Sequence, residues 1–361
     1  MGQLIFRVFV SIFVGGMVLA GEPAFSTRQS TPLALPSGIL YISPADDYRR
    51  DLILFDPITG VSRSMLNEGG LEYYAIRPDG TQIAYSHNTP DNTADIWILD
   101  VSSGISYPVT GCVRAYCHSP AWSPDGSQIV YEREDRLPEG ELESRIWIVD
   151  LATLESRLLL DDPQLVGSAP IWAGQRIAWF DKRVPGIRVL NTGDGTMQVI
   201  STMQDVVGSF SPDGTQLVYP VLRQGALGTQ FYTHLNLVNL DTEELTSLSG
   251  PDDAPVEDVL GYWSPDGQRI LILRRYLDTR YTAGIQIYDL DPATGDAEPL
   301  IVDADINHSG VSFQGRQILY HQYPLSGSGP EVWLYDMDNG ERTQIAVNAF
   351  LPHWLAQTTQ P

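Results

Sequence analysis

Residues 120–131 read PAWSPDGSQIVY, and the fold is read from the return of that stretch along the chain. Near-copies run YYAIRPDGTQIAY over 73–85, GSFSPDGTQLVY over 208–219 and GYWSPDGQRILI over 261–272. Two looser versions, PIWAGQRIAW over 170–179 and GVSFQGRQILY over 310–320, keep the apolar flanks and lose the full turn. Each full copy is a short apolar run, a Ser-Pro-Asp-Gly turn, with Arg77 in place of the Ser in the first, and a second apolar run. Proline presets the first turn position, aspartate suits the next, and glycine accepts the left-handed conformation that closes a tight hairpin.

A third alternating segment follows each hairpin: DIWILD from Asp95, RIWIVD from Arg145, GIRVLN from Gly186, HLNLVNL from His234, GIQIYDL from Gly284 and EVWLYDM from Glu331. Period-two alternation with β-branched and aromatic residues is the pattern of a strand. After a short Asp/Gly/Ser turn comes a fourth strand such as ISYPVT or ERTQIAV. Four strands in a meander, repeated every 40 to 50 residues or so, make the blade of a β-propeller.

First strands fall near Ala75, Ala121, Ile171, Ser209, Tyr262 and Val311, but third strands near Leu52, Ile96, Ile146, Ile187, Leu235, Ile285 and Val332. The first blade therefore lacks a first strand, and FLPHW at 350–354 is a first strand without a second. The expected fold is all-β: a seven-bladed β-propeller of four-stranded antiparallel blades over 39–356, its ring closed by the C-terminal strand, with a tail at 357–361. Closure would remove the open sheet edge that invites aggregation.

Residues 4–20, LIFRVFVSIFVGGMVLA, suit the core of a signal peptide with cleavage before Gly21, or an N-terminal anchor left uncleaved. Residues 21–38 are rich in Pro, Ser and Thr and read as a tether. The expected location is outside the cytoplasm, periplasmic or extracellular. Cys112 and Cys117, the only cysteines, are then expected to form a disulfide, since one Cys pair is too few for structural zinc. With 45 acidic against 22 basic residues the formal net charge is -23, which disfavours nucleic acid and anionic lipid as partners. Lys182 is the sole lysine, so the cationic chemistry belongs to arginine.

The SPDG hairpins, the IWxxD third strands and the export signal resemble the TolB-like family of propeller repeats, which are also WD-repeat-like, over residues 39–354. The resemblance implies an exported propeller. The family's namesake resembles a six-bladed ring behind a separate α/β domain. This chain reads as seven blades behind a tether, so the namesake's role in the envelope is not carried over.

In such meanders the second-to-third and fourth-to-first connections share one face, and here they look long, as in EREDRLPEGELESR at 132–145 and RRYLDTRYTAG at 274–284. Long connections on a rigid scaffold are where binding residues concentrate. Arg133, Arg136, Arg223, Arg274, Arg275 and Arg280 are the expected contacts, with Tyr232, Tyr276, Tyr281 and Tyr323 as aromatic anchors and Tyr48, Tyr116 and Phe231 beside them. The opposing reading is that nearby acids, among them Glu132, Glu134, Asp135 and Asp278, pair with these arginines in solvent. No nucleophile elbow, HExxH helix or P-loop is present. The expected function is non-catalytic: a monomeric scaffold, without cofactor, that binds an envelope or extracellular protein or a glycan. The alternative is a metal-dependent lyase or hydrolase acting on acidic glycans. Resemblance to oligogalacturonate lyases implies a channel histidine cluster for it, with His118, His308 and His353 as the candidates. DADINHSG, with Asp303, Asp305 and Asn307, imitates a calcium loop but lacks the later Glu and reads as a solvated turn.

Overall fold

The computed structural model describes residues 38–45, 49–66, 69–89, 93–138, 140–224 and 231–355. The leader or anchor at 1–20, the tether up to residue 37, Tyr48 and the tail from 357 lie outside the described residues. The described residues are all strand, turn and connection, with 28 strands and no helix, hence none long and apolar enough to cross a membrane.

The strands form consecutive antiparallel meanders over 74–108, 115–158, 168–200, 209–247, 256–301 and 306–347. A further four-stranded sheet joins Ile39–Ser43, Asp51–Asp56 and Val61–Ser64 to the C-terminal strand Phe350–Trp354, which pairs with the first at Ile39↔Trp354 and Leu40↔His353. The 74–108 and 115–158 meanders are fused into one eight-stranded sheet by a parallel bridge, Ala94↔Tyr116.

The hairpin turns form for the reasons their residues suggest. In the 120–131 copy, Gly126 sits at φ +70° and its N–H donates to the Ser123 carbonyl at 2.9 Å. Ser123 Oγ donates to Asp125 Oδ1 at 2.7 Å, and Asp125 Oδ1 accepts from the Ser127 N–H at 3.0 Å. These donors, Ser123 first, hold the Asp125 carboxyl down at about 2. A side chain at Gly126 would also strike Arg77, whose Nε donates to the Gly126 carbonyl at 3.2 Å.

The core lies between successive sheets. Ile83 and Tyr85 pack with Leu40, Leu52 and Leu54 of the sheet before, while Ala84 packs with Trp122, Ile129 and Tyr131 of the meander after. A strand buried on both faces has no polar side to show, which is why the second strands read QIAY, QIVY and QLVY rather than alternating. Ile39 and Tyr41 pack with Leu319 and Val332 of the 306–347 meander, so the N-terminal sheet has an apolar neighbour on each side. Trp122 is 6% exposed, and its Nε1 donates to the Ala75 carbonyl across that junction at 3.0 Å.

Strand length departs from the sequence expectation. The stretch 132–145 is mostly hairpin: Gln128–Arg136 pairs with Leu142–Asp150 through nine registered residues, ending at Leu142↔Arg136. Likewise Gln216–Gln224 pairs with Phe231–Asn239, and Ile270–Tyr276 carries Arg274 and Arg275. Backbone pairing continues past the apolar core into solvent, where side chains become charged and the hydrophobic signal stops.

Candidate functional site

A cleft of about 640 Å³ lies where the 74–108 and 115–158 meanders meet. Thr89 and Thr93 come from a second-to-third connection, Cys112, Val113 and Arg114 from a fourth-to-first connection, and Tyr116, Glu134, Arg136 and Leu142 from strand ends. It therefore opens among the connections that the sequence assigns to the elaborated face. Its wall is fixed covalently by the Cys112–Cys117 disulfide, with Cα atoms 6.2 Å apart and both cysteines buried. Asp95 Oδ1 ties the same wall down, accepting from the Cys112 N–H at 2.6 Å and from Thr110 Oγ1 at 3.0 Å.

The expected arginines separate into two groups. Arg274 is buried: its Nε and Nη2 each donate to an oxygen of the fully buried Asp258 at 2.7 Å. Arg133 forks onto Asp135 at 2.9–3.1 Å and lies 4.7 Å from the Trp147 ring centroid. Arg223 pairs with Asp252 at 2.8 Å, and Arg275 pairs with Glu257 and donates to the Ala283 carbonyl. Arg280 pairs with Asp278 at 2.5 Å and lies 3.6 Å from the Tyr276 ring centroid. Arg136, by contrast, has no ion pair or hydrogen bond among the described residues and is exposed on the cleft wall. Arg114 is its equal there, also exposed and unpaired among the described residues.

The tyrosines do not gather at this cleft, except Tyr116. Tyr281 is 58% exposed beside Arg275, and Tyr276 stacks edge-on with Tyr288. Tyr232 lies half-buried on the strand Phe231–Asn239. Tyr323 belongs to a second cleft of about 570 Å³ with Arg50, Asn348 and Phe350. There Arg50 lies 5.4 Å from the Phe350 ring centroid and donates to the Ala45 carbonyl.

The three candidate histidines are used separately. His308 is buried with Nδ1 2.9 Å from the Ile285 carbonyl, and burial pushes its pKa down. His353 packs edge-on against Tyr74, and burial lowers it to about 4. Among the described residues, only His118 of the three belongs to a group able to hold a metal: His118, Glu132 and Glu134 have ligand atoms within 4.8 Å of one another. The opposing sequence reading has Glu132, Glu134 and Asp135 pair locally with the arginines, and of these Asp135 takes Arg133. The signal that finds the group is strand register, since His118 pairs with Glu132 and Glu134 follows two residues on, on the same side of the strand. Asp303 of the calcium-like stretch pairs with Arg342, as a turn aspartate does.

No family model and no curated protein matches the sequence. Solved structures do. TolB from Acinetobacter baumannii is 16% identical, with a TM-score of 0.52 over 89% of this chain and 67% of its own. An oligogalacturonate lyase in complex with manganese is 15% identical, with a TM-score of 0.56 over 86% of this chain and 85% of its own. The β-propeller domain of the Trilobed protease from Pyrococcus furiosus is 16% identical, with a TM-score of 0.57 over 76% of this chain and 85% of its own. The chain also resembles peptidases, spanning 48–54% of their length. At these identities the likeness establishes the fold alone, a β-propeller of the TolB-like kind.

Proposed function

We propose that this chain is an exported, seven-bladed β-propeller closed by its C-terminal strand, and that it binds a protein or glycan partner without catalysis, through the disulfide-walled cleft. The closed ring is supported by the pairing of Phe350–Trp354 with Ile39–Ser43 and by apolar clusters joining every sheet to the next, the last to the first. Export is supported by the disulfide. One observation carries the binding reading. Arg114 and Arg136 are exposed and, among the described residues, unpaired on one wall-stiffened cleft, while the other candidate arginines are occupied by carboxylates. Two exposed guanidinium forks beside Tyr116 suit carboxylates, as on an acidic protein segment or a uronate-bearing glycan. Affinity capture from envelope and extracellular fractions with the wild type, R114E/R136E and R280E tests this. The reading requires a partner retained by the wild type and R280E and lost by R114E/R136E.

A second reading, a metal-dependent reaction on acidic glycans, is favoured by the His118, Glu132 and Glu134 group and by the likeness to the manganese-bound lyase. Cleavage of polygalacturonate that requires an added divalent ion would select it.

A further inference from the structure

Glu132 and Glu134 stand two residues apart on the strand Gln128–Arg136, so their side chains leave the same face of the sheet. Glu132 is 4% exposed. Its Oε2 accepts from the Ala169 N–H at 3.0 Å, but among the described residues Oε1 has no hydrogen bond, its near neighbour being His118 Nε2 at 3.8 Å. Among the described residues Glu134 accepts only from Ser144 Oγ, at 3.3 Å. Neither carboxylate pairs with an arginine or lysine among the described residues. Burying a carboxylate is costly unless its charge is met, and here two carboxylates share one imidazole. Even a protonated His118 would leave one negative charge over.

The imidazole is itself held for ligation. His118 Nδ1 is 2.9 Å from Ser119 Oγ, which fixes the ring and turns Nε2 toward Glu132, as the outer-shell partners of metal-binding histidines do. The ring also stacks on Tyr73, with centroids 5.6 Å apart. Metal bonds of about 2.1 Å would draw the three ligand atoms to separations of about 3.4 Å in a tetrahedral shell, a small closure from their present spread within 4.8 Å.

We propose that His118, Glu132 and Glu134 form a site for one divalent first-row cation of the Zn²⁺ or Mn²⁺ kind. One imidazole with two carboxylates is a mixed nitrogen and oxygen set, which suits these ions better than the all-oxygen shells of Mg²⁺ or Ca²⁺. Three protein ligands leave coordination positions open, and Glu134, which also lines the cleft, places the site on its wall. The bound ion adds positive charge beside Arg114 and Arg136. The site does not depend on partner capture, and its test involves no partner.

The test uses purified protein stripped with chelator and titrated separately with Zn²⁺ by calorimetry and Mn²⁺ by electron paramagnetic resonance. The expected result is one ion per chain for at least one metal, bound at least tenfold more weakly by H118Q and by E134Q. Thermal unfolding without metal checks that each variant is folded, and the half-exposed Glu134 carries the test if the buried position, in E132Q, does not fold. Absence of saturable binding of both ions, or equal affinity in the wild type, H118Q and E134Q, overturns the site.

Discussion

Arg274 and Asp258 are joined by a buried two-pronged ion pair, Nε to Oδ1 and Nη2 to Oδ2, each at 2.7 Å. Ser249 Oγ donates to the same carboxylate, and the Leu248 carbonyl accepts from Arg274, so the pair staples the strand Ile270–Tyr276 to the preceding meander. Removing one partner strands a buried charge. Arg274→Ala or Asp258→Asn is expected to cost about 3–5 kcal/mol in urea unfolding. Arg280→Ala, at an exposed pair, is expected to cost under about 1 kcal/mol. Equal small losses at both positions would contradict the structural role of Arg274.

Ring closure makes its own prediction. Ending the chain after Asn348 removes Phe350–Trp354, the hydrogen-bonded neighbour of Ile39–Ser43, together with buried Trp354 and Leu355. The truncated protein is expected to lose cooperative thermal unfolding or to unfold at a much lower temperature. An unchanged transition would show that the terminal strand closes nothing.

His321 ties stability to pH. It is 4% exposed, and burial, helped by the nearby charge of His353, lowers it to about 4. The unfolded chain takes up this proton first as pH falls, near 6.5. The contribution is therefore complete above about pH 6.5 and is lost progressively down to about pH 4, on the order of 3 kcal/mol. His308 and His353 act in the same direction. Carboxylates with lowered values, such as Asp125, lose their contribution below that window. Urea unfolding between pH 7.5 and 4 is expected to show the slope, reduced in His321→Gln; an unaltered slope in that variant would assign the effect elsewhere.

The disulfide closes a short loop, so C112S/C117S is expected to lose only about 2 kcal/mol by the loop-entropy relation. Partner affinity is expected to fall more than global stability, because the freed segment carries Arg114 and Tyr116. A loss of stability with no change in affinity would separate the disulfide from binding.

Local chemistry made the hairpins legible. Asp125 and Gly126 make their turn from neighbours within five residues, so the local spelling alone places it. The C-terminal strand was legible by counting, since FLPHW had no second strand of its own. Partner choice was not legible. Arg133 and Arg136 lie three residues apart in one charged run, yet Arg133 meets Asp135 while Arg136, on the side of the strand it shares with Glu134, has no side-chain partner among the described residues. Nor do composition and spacing announce that Ser119, Ala169 and Leu351 take φ of +50 to +52° at irregularities in first strands. The irregularity after His118 breaks the pairing between it and Ala121, and His118 still registers opposite Glu132. Tertiary pairing decides such positions.

Partners are expected to be captured at the disulfide-walled cleft and not at the SPDG turns. A photoreactive amino acid placed at Tyr116, and separately at Asp125 in a repeated turn, tests it during envelope and extracellular cross-linking. The expected result is a discrete cross-linked partner from position 116 that disappears with R114E/R136E, and none from position 125. Cross-linking from position 125 alone, or from position 116 with equal yield in R114E/R136E, would contradict it.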